Sequence, residues 1–289
     1  MDIRFLESFI AVVDDGSVAA AARRLGLTPA AVAQRLHTLE IDVGHPLVTR
    51  VGRTVQPSAS GLAILKHARM LVDSTRDLRA LAANDQPKGR LRLGATATAL
   101  TGLLPGIISR LNERHPLIEY FVRPGSSMDL YSAVTQGDLD AALLVRPAFQ
   151  MPKSTGWLPV RDEPLVLIAP QAMPLEDVRS AIQRHPFIRY DRNQWGGHLV
   201  DQYLRRHRFK VREWLELDAL DAIAALVDRG LGISIVPDWA PPWPEGLKLR
   251  KIVLDHTERR VTGVLWNKSG VQIATTRAFV ECCPENHVE

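Results

Sequence analysis

Cysteine is nearly absent: the 289 residues hold two, Cys282 and Cys283, adjacent and near the C-terminus. Neighbours in sequence rarely pair with each other, so no disulfide framework follows, and two thiols alone make no zinc site. The nine histidines do not cluster at metal spacings; His198 and His207 share a predicted helix but fall on opposite faces of it. No apolar run is long enough to span a membrane. The first residues, with Asp2, Arg4 and Glu7, lack the basic-then-apolar pattern of a secretory leader, so the expected location is the cytoplasm. Gly-x-Ser-x-Gly, a P-loop, His-Glu-x-x-His and a dinucleotide glycine fingerprint are all missing. Gly230-Leu231-Gly232 follows a helix and precedes a strand, which is a helix stop rather than a nucleotide turn. No catalytic residue, metal ligand or cofactor site is assigned.

Lysine is missing from residues 1–60, which carry six arginines and six acids. The unit is neutral by count, yet from Ser17 to residue 60 five arginines face only Glu40 and Asp42. That asymmetry favours nucleic acid more than the whole-chain charge of +4 does. Within this stretch Ser17 is an N-cap for the alanine-rich run Val18–Leu25, which ends at Gly26. Thr28 caps a second helix with Pro29 at its first position, where the missing N–H costs nothing. In that helix Val32, Leu36 and Leu39 fall at i, i+4 and i+7 and form a narrow buried stripe. Ala30, Gln34, Arg35 and Thr38 lie largely off it, so small residues lead the helix into a groove and Gln34 and Arg35 reach base edges. Leu6, Phe9, Ile10 and Val13 give a third helix that closes a small core. Pro46–Pro57 is expected as a hairpin wing, with Arg50 and Arg53 laid on phosphates. A helical hairpin that only packs a core is the plainer alternative.

Leu6, Phe9, Val12, Gly16-Ser17, Ala21-Ala22, Leu25, Thr28, Ala31-Val32, Leu39-Glu40, Gly44, Pro46-Leu47, Arg50 and Gly61 are similar to the N-terminal winged-helix signature of LysR-type transcriptional regulators. The likeness runs over about sixty residues at the family's spacing. Pro29 stands where the family usually has a DNA-reading glutamine and Ala33 where it has a serine; Val48 and Ser58 replace a phenylalanine and a threonine. The resemblance implies contacts to double-stranded DNA from Ser17, Thr28, Pro29, Ala30, Gln34, Arg35, Thr38, Arg50 and Arg53. It also implies that the next helix pairs two subunits, giving a homodimer or a homotetramer.

That helix is expected from Gly61 to about Asn84, with two apolar stripes. Leu62, Leu65 and Val72 form one; Ile64, Ala68, Leu71, Thr75, Leu78 and Ala82 form the other, at the spacing of a coiled-coil seam. One stripe docks on the N-terminal core and the other on a partner helix. Asn84–Gly89 reads as a hinge. Strands and helices then alternate: Leu91–Thr96, Ile118–Val122 and Ala141–Val145 are strands around helices Leu103–Arg114 and Met128–Gln136, hence a parallel sheet. A second such unit follows, with strands Pro164–Ala169, Phe187–Tyr190, Glu213–Leu217 and Gly232–Val236. Its helices are Leu175–Arg184, His198–His207 and Leu220–Asp228. Strands Leu247–Leu254 and Arg260–Trp266 and a helix Val271–Cys282 close the chain. The expected division is a winged helix-turn-helix over 1–60, a linker helix over 61–86, and an α/β domain over 90–289. The last has one lobe at about 90–162 and 267–289 and another at about 163–266. This pattern, with Gly94, Gly137–Asp140 and Leu226–Pro237, resembles the family's effector domain, itself similar to periplasmic solute-binding proteins.

Ligands of open α/β sheets bind beyond the C-terminal strand ends, near helix N-termini. The cleft between the lobes is therefore expected to hold a small anionic or aromatic effector. Thr96, Thr98 and Ser126 are placed at its polar end, with Arg146 opposing a carboxylate and Trp195 stacking. Each residue alone also reads as a helix cap or a surface group. A sequence-specific, effector-modulated regulator is the expected function. A cytoplasmic α/β enzyme or a solute-binding protein using the same cleft is the alternative.

Overall fold

The structure is a computed structural model and describes all residues except 53, 83–86, 175–176, 255–257, 269–271 and 285–289. The chain divides into two compact units, Met1–Asp85 and Gln86–Glu289.

The N-terminal unit starts with α1, Ile3–Asp15, capped by the Asp2 carboxylate, which accepts from the Arg4 N–H at 2.9 Å. Next come α2, Val18–Leu25, and α3, Pro29–Val43. The hydroxyls of Ser17 and Thr28 accept from the N–H groups of Ala20 and Ala31, satisfying first-turn donors that have no helical partner. Gly16, Gly26 and Gly44 end the three helices at positive φ, where a side chain would be strained. Val32, Leu36 and Leu39 are buried, joined by Leu6, Phe9, Val12, Ala21, Ala22 and Leu47. Full burial of a large apolar side chain is worth about 1.5–3 kcal/mol, enough to fix which face of α3 turns inward. The strands β1, Val48–Val51, and β2, Thr54–Pro57, form an antiparallel hairpin. It is tied down by the Val55 N–H donating to the Gly16 carbonyl at 2.8 Å, and by Glu40, whose carboxylate accepts from the Leu47 N–H at 2.7 Å.

Helix α4 runs from Ala59 to Ala82. Its apolar faces differ from the two expected stripes. Ala68 and Val72 are buried in the N-terminal core with Ile64 and Leu65 against it, so Ala68 docks inward instead of joining a seam. Leu62, expected to dock, is exposed, as are Leu71 and Leu78. The helix turns about 100° per residue, which sets 65, 68 and 72 on one face and leaves 62 at the flank of that face, turned away from 68. Gly61 lies so near β1 that a Cβ there would meet the Leu47 carbonyl oxygen at 2.0 Å. The expected hinge at Asn84–Gly89 and the starts of the helices expected at Leu175 and Val271 lie partly outside the described residues.

The C-terminal unit runs β3 Gly89–Ala95, α5 Ala97–Gly102, α6 Leu104–Arg114, β4 Ile118–Pro124, α7 Ser127–Thr135 and β5 Ala141–Val145. It continues with β6 Thr155–Pro170, α8 Val178–Arg184, β7 Pro186–Tyr190, α9 Trp195–Arg206, β8 Arg212–Leu217 and α10 Leu220–Asp228. It closes with β9 Ser234–Pro237, β10 Leu249–Val253, β11 Arg259–Asn267 and α11 Ile273–Glu281. β3 pairs in parallel with both β4 and β5, as the alternating pattern predicts. Two long strands cross between the lobes: β6 and β11 are antiparallel from Thr155↔Asn267 to Pro164↔Arg259. β6 starts nine residues before the expected strand. Its first half is broken by Gly156, Pro159 and the charged run Arg161-Asp162-Glu163, and β11 supplies the partner that makes it a strand. The expected helix Leu103–Arg114 is preceded by the separate short helix α5, and α9 starts at Trp195, three residues early. Lobe I has its core under Leu91, Leu93, Ile107, Leu143 and Phe279; lobe II has its own under Leu167, Ile182, Phe187, Ile223 and Ile235.

Candidate nucleic-acid interface and ligand cleft

Because α3 buries one stripe, its other face is open. Thr28, Pro29, Ala30, Ala33 and Gln34 are exposed, and Arg35 and Thr38 are half-buried. The Thr38 hydroxyl donates back to the Gln34 carbonyl at 2.9 Å. Arg35 lies near Asp2, whose carboxyl is lowered to about 2 by its hydrogen bonds with Arg4 first and by the charges of Arg4 and Arg35 after that. Asp2 is held by Arg4 Nη2 at 2.6 Å, so Arg35 keeps its guanidinium without a direct ion pair to it. Ser17 is half-buried at the start of α2 and spends its hydroxyl on the cap. Arg50 is exposed on the hairpin, its Nε donating to the Gly52 carbonyl at 3.4 Å. Arg53 lies outside the described residues. A helix with small residues at its front and amide and guanidinium groups behind, beside a hairpin arginine, suits a DNA groove flanked by phosphates.

In the C-terminal unit a cleft of about 750 Å³ is walled by both lobes. Thr96, Thr98 and Ser126 line it, with Tyr190, Gln194, Asp218, Asp221, Trp239, Trp243, Glu245 and Arg260. Thr96 precedes α5 without capping it, and its buried hydroxyl oxygen has no hydrogen-bond partner. The Thr98 hydroxyl accepts from Arg260 Nη2 at 3.1 Å. Ser126 is committed to α7: it accepts from the Asp129 N–H at 3.1 Å and donates to the Asp129 carboxylate at 2.7 Å.

Arg146 and Trp195 do not line this cleft. Strand alternation turns Val145 into it and sends Arg146 to the other side, to a separate hollow with Phe149, Lys153 and Lys268. Trp195 opens α9 and packs edge-on against Tyr131 and Phe149, at 5.9 and 5.7 Å between centroids. Its predecessor Gln194 faces the cavity instead.

The cation in the cleft wall is Arg260, 2% exposed on β11. Its Nε donates to Glu163 at 2.5 Å, and the two residues are cross-strand partners on β11 and β6. Burial works against the charge of Arg260, and the attraction of Glu163 outweighs it, so the guanidinium stays protonated. Tyr190, hydrogen-bonded to Arg260, has its hydroxyl pushed up by burial. Burial, then the charge of Asp191, also pushes up the Asp218 carboxyl. Sequence reading missed Arg260, the second of two arginines that open β11; its partner is 97 residues away, and only the β6–β11 register joins them. Among the described residues no cluster of histidine, cysteine and acids could hold a metal, and no helix is long and apolar enough to cross a membrane.

Two family models match the chain, a bacterial regulatory helix-turn-helix protein of the lysR family over residues 3–62 and a LysR substrate binding domain over residues 84–287. A probable hydrogen peroxide-inducible genes activator of Mycobacterium avium is 30% identical over 279 residues, 92% of this chain and 88% of its own. The HTH-type transcriptional activator IlvY of Salmonella typhimurium is 25% identical over 298 residues, 98% of this chain and 100% of its own. A full-length OxyR variant of Pseudomonas aeruginosa shares the fold with a TM-score of 0.68, at 19% identity and covering 98% and 94% of the two chains.

Proposed function

The chain belongs to the LysR family of bacterial transcriptional regulators, and from that premise we propose which residues read DNA and which hold the effector. It is a DNA-binding regulator with an effector-binding domain, and not an enzyme. Base readout falls to Gln34, Arg35 and Thr38, with Pro29 and Ala30 entering the groove first. Ser17, Thr28, Arg50 and Arg53 serve the phosphates. The observation that carries this reading is the division of α3 into a buried stripe and an open face of small and polar residues. The winged helix takes residues 1–60, the linker helix 61–86 and the effector domain 90–289. Leu71 and Leu78, exposed one heptad apart on α4, support pairing of two copies through that helix, as a dimer or a dimer of dimers. Its place of work is the cytoplasm, where the DNA is.

The effector is a small molecule with an acid group held at Thr96, Thr98, Ser126 and Arg260. The partnerless Thr96 hydroxyl and the guanidinium beside Thr98 support that end of the cleft. Peroxide chemistry at a thiol gains no support from this chain. Its two cysteines are buried at the end of α11, and burial raises the Cys283 thiol to about 12. Effector binding shifts the population between lobe arrangements, so the ligand must prefer one of them.

The test is fluorescence anisotropy of the purified protein on DNA from upstream of its own gene and on scrambled DNA, over a salt series. Tighter binding to the native sequence with a steep salt slope is expected. Equal, weak binding to both would remove the assignment of α3 as a sequence reader.

A further inference from the structure

The charges around the cleft do not match a site for acid groups alone. Arg260 is the cationic side chain in the wall, and it is paired with Glu163 behind it, a carboxylate it shares with Arg161 at 3.5 Å. Three carboxylates line the same cavity, from Asp218, Asp221 and Glu245. All three come from lobe II, whereas the Thr96 and Thr98 hydroxyls come from lobe I. A ligand with acid groups alone would approach a wall that repels it.

The three carboxylates differ in what else they do. Asp221 sits in the first turn of α10, where a negative charge favours the helix dipole. Glu245 is exposed on the loop before β10. Asp218 has no such employment. It does not cap α10, whose N-cap is Ala219. Its carboxylate makes no hydrogen bond or ion pair among the described residues, and it stands exposed near a second carboxylate, Asp191. Lys251, the cation of nearby β10, is taken up by Asp238 at 2.9 Å and by the face of Trp243. The repulsion between Asp218 and Asp191 is thus left uncompensated by the protein, on the wall of the cleft.

We propose that the cleft takes a zwitterion: a ligand with a carboxylate at Thr96, Thr98 and Arg260 and a protonated amine at Asp218, with Asp221 and Glu245 completing the negative end. An α-amino acid or a close relative is the chemical class. The apolar middle is bounded by Trp239 and Trp243, stacked on each other at 3.6 Å. With Lys251 over the ring of Trp243 as well, both faces of Trp243 are occupied, so it offers an edge to an aliphatic or aromatic side chain rather than a stacking surface. The inference rests on the reading of this cleft as the effector site, and it deepens that reading by naming the second charge.

The experiment uses the full-length protein and three matched series: common α-amino acids, the same skeletons without the amine, and the same skeletons without the carboxylate. Binding is followed by thermal shift and titration calorimetry. At least one amino acid is expected to raise Tm and to bind about tenfold or more tighter than either truncated analogue. Asp218→Asn is expected to erase the advantage over the deaminated acid by weakening the amino acid about tenfold, while the deaminated acid, relieved of repulsion, binds as tightly as before or more tightly. Binding of a deaminated acid as tight as that of its parent, or an Asp218→Asn protein with unchanged preference, would overturn the amine site and leave the cleft reading standing. No binding in any of the three series would overturn both.

Discussion

In the N-terminal unit the side chains proposed to read bases stand on a single helix face, from Pro29 to Thr38, and that face is exposed because Val32, Leu36 and Leu39 claim the other. In the C-terminal unit the groups around the cleft come from distant segments, and the most consequential of them, Arg260, is buried. The first site is what remains after a local core has formed. The second is made by the fold itself, since Arg260 and Glu163 meet only when β6 and β11 pair. Function and stability are therefore separable in the first unit and entangled in the second.

The sharpest break of that contrast is substitution of the buried acid. Glu163→Leu would leave Arg260 without its counter-charge in a buried strand, and a loss of about 3–5 kcal/mol is expected in denaturant unfolding of the C-terminal unit. Gln34→Ala, by contrast, is expected to stay within about 0.5 kcal/mol of the parent in the same assay while weakening specific DNA binding. A Glu163→Leu protein as stable as the parent would show that the cleft is not built on this pair.

Next in size is Gly61→Ala. Its Cβ would meet the Leu47 carbonyl oxygen at 2.0 Å, so either α4 or the start of β1 must shift. Overpacking of this kind costs about 1–3 kcal/mol. The loss is expected in the N-terminal unit and in DNA affinity, with the thermal response to ligand in the C-terminal unit unchanged.

The smallest effects are in pH. Asp2 has its folded pKa lowered to about 2 from 3.8, so its contribution is present above the unfolded value and fades as pH falls through about 2. Being exposed, it should be a minor term, visible as a low carboxyl titration in NMR. Cys283 is the opposite case. Its folded pKa of about 12 lies above 9.0, so the stabilisation it supplies is present below pH 9 and is lost as pH rises towards 12. Slow reaction of the folded protein with thiol reagents at neutral pH, and fast reaction in denaturant, is the expected result.

The same contrast explains what sequence reading could see. Ser17, Thr28, Gly26 and Gly44 mark helix ends through chemistry within three or four residues, and α2 and α3 follow from them with their buried stripe. Thr96, Thr98 and Ser126 were legible because strand ends and helix starts are local too. Arg146 and Trp195 were misplaced by a single residue each in strand phase or helix start, which is enough to turn a side chain away from the cleft. Arg260, Tyr190 and Asp218 were not legible, because their neighbours are fixed by pairing across long separations. The α4 stripes were drawn wrongly for a related reason: Ala68 and Leu62 are assigned by what the N-terminal core already covers, which spacing along one helix does not reveal.

Whether the open face of α3 reads bases while the hairpin arginine holds phosphate can be decided with two variants. The affinities of Arg35→Ala and Arg50→Ala would be compared with the parent across a set of single-base variants of the bound site at several salt concentrations. Arg35→Ala is expected to lose about 1–3 kcal/mol together with its discrimination at one base pair. Arg50→Ala should weaken every sequence alike and lower the salt slope by about one. Uniform loss for Arg35→Ala, with all base preferences intact, would contradict the division of labour between helix and hairpin.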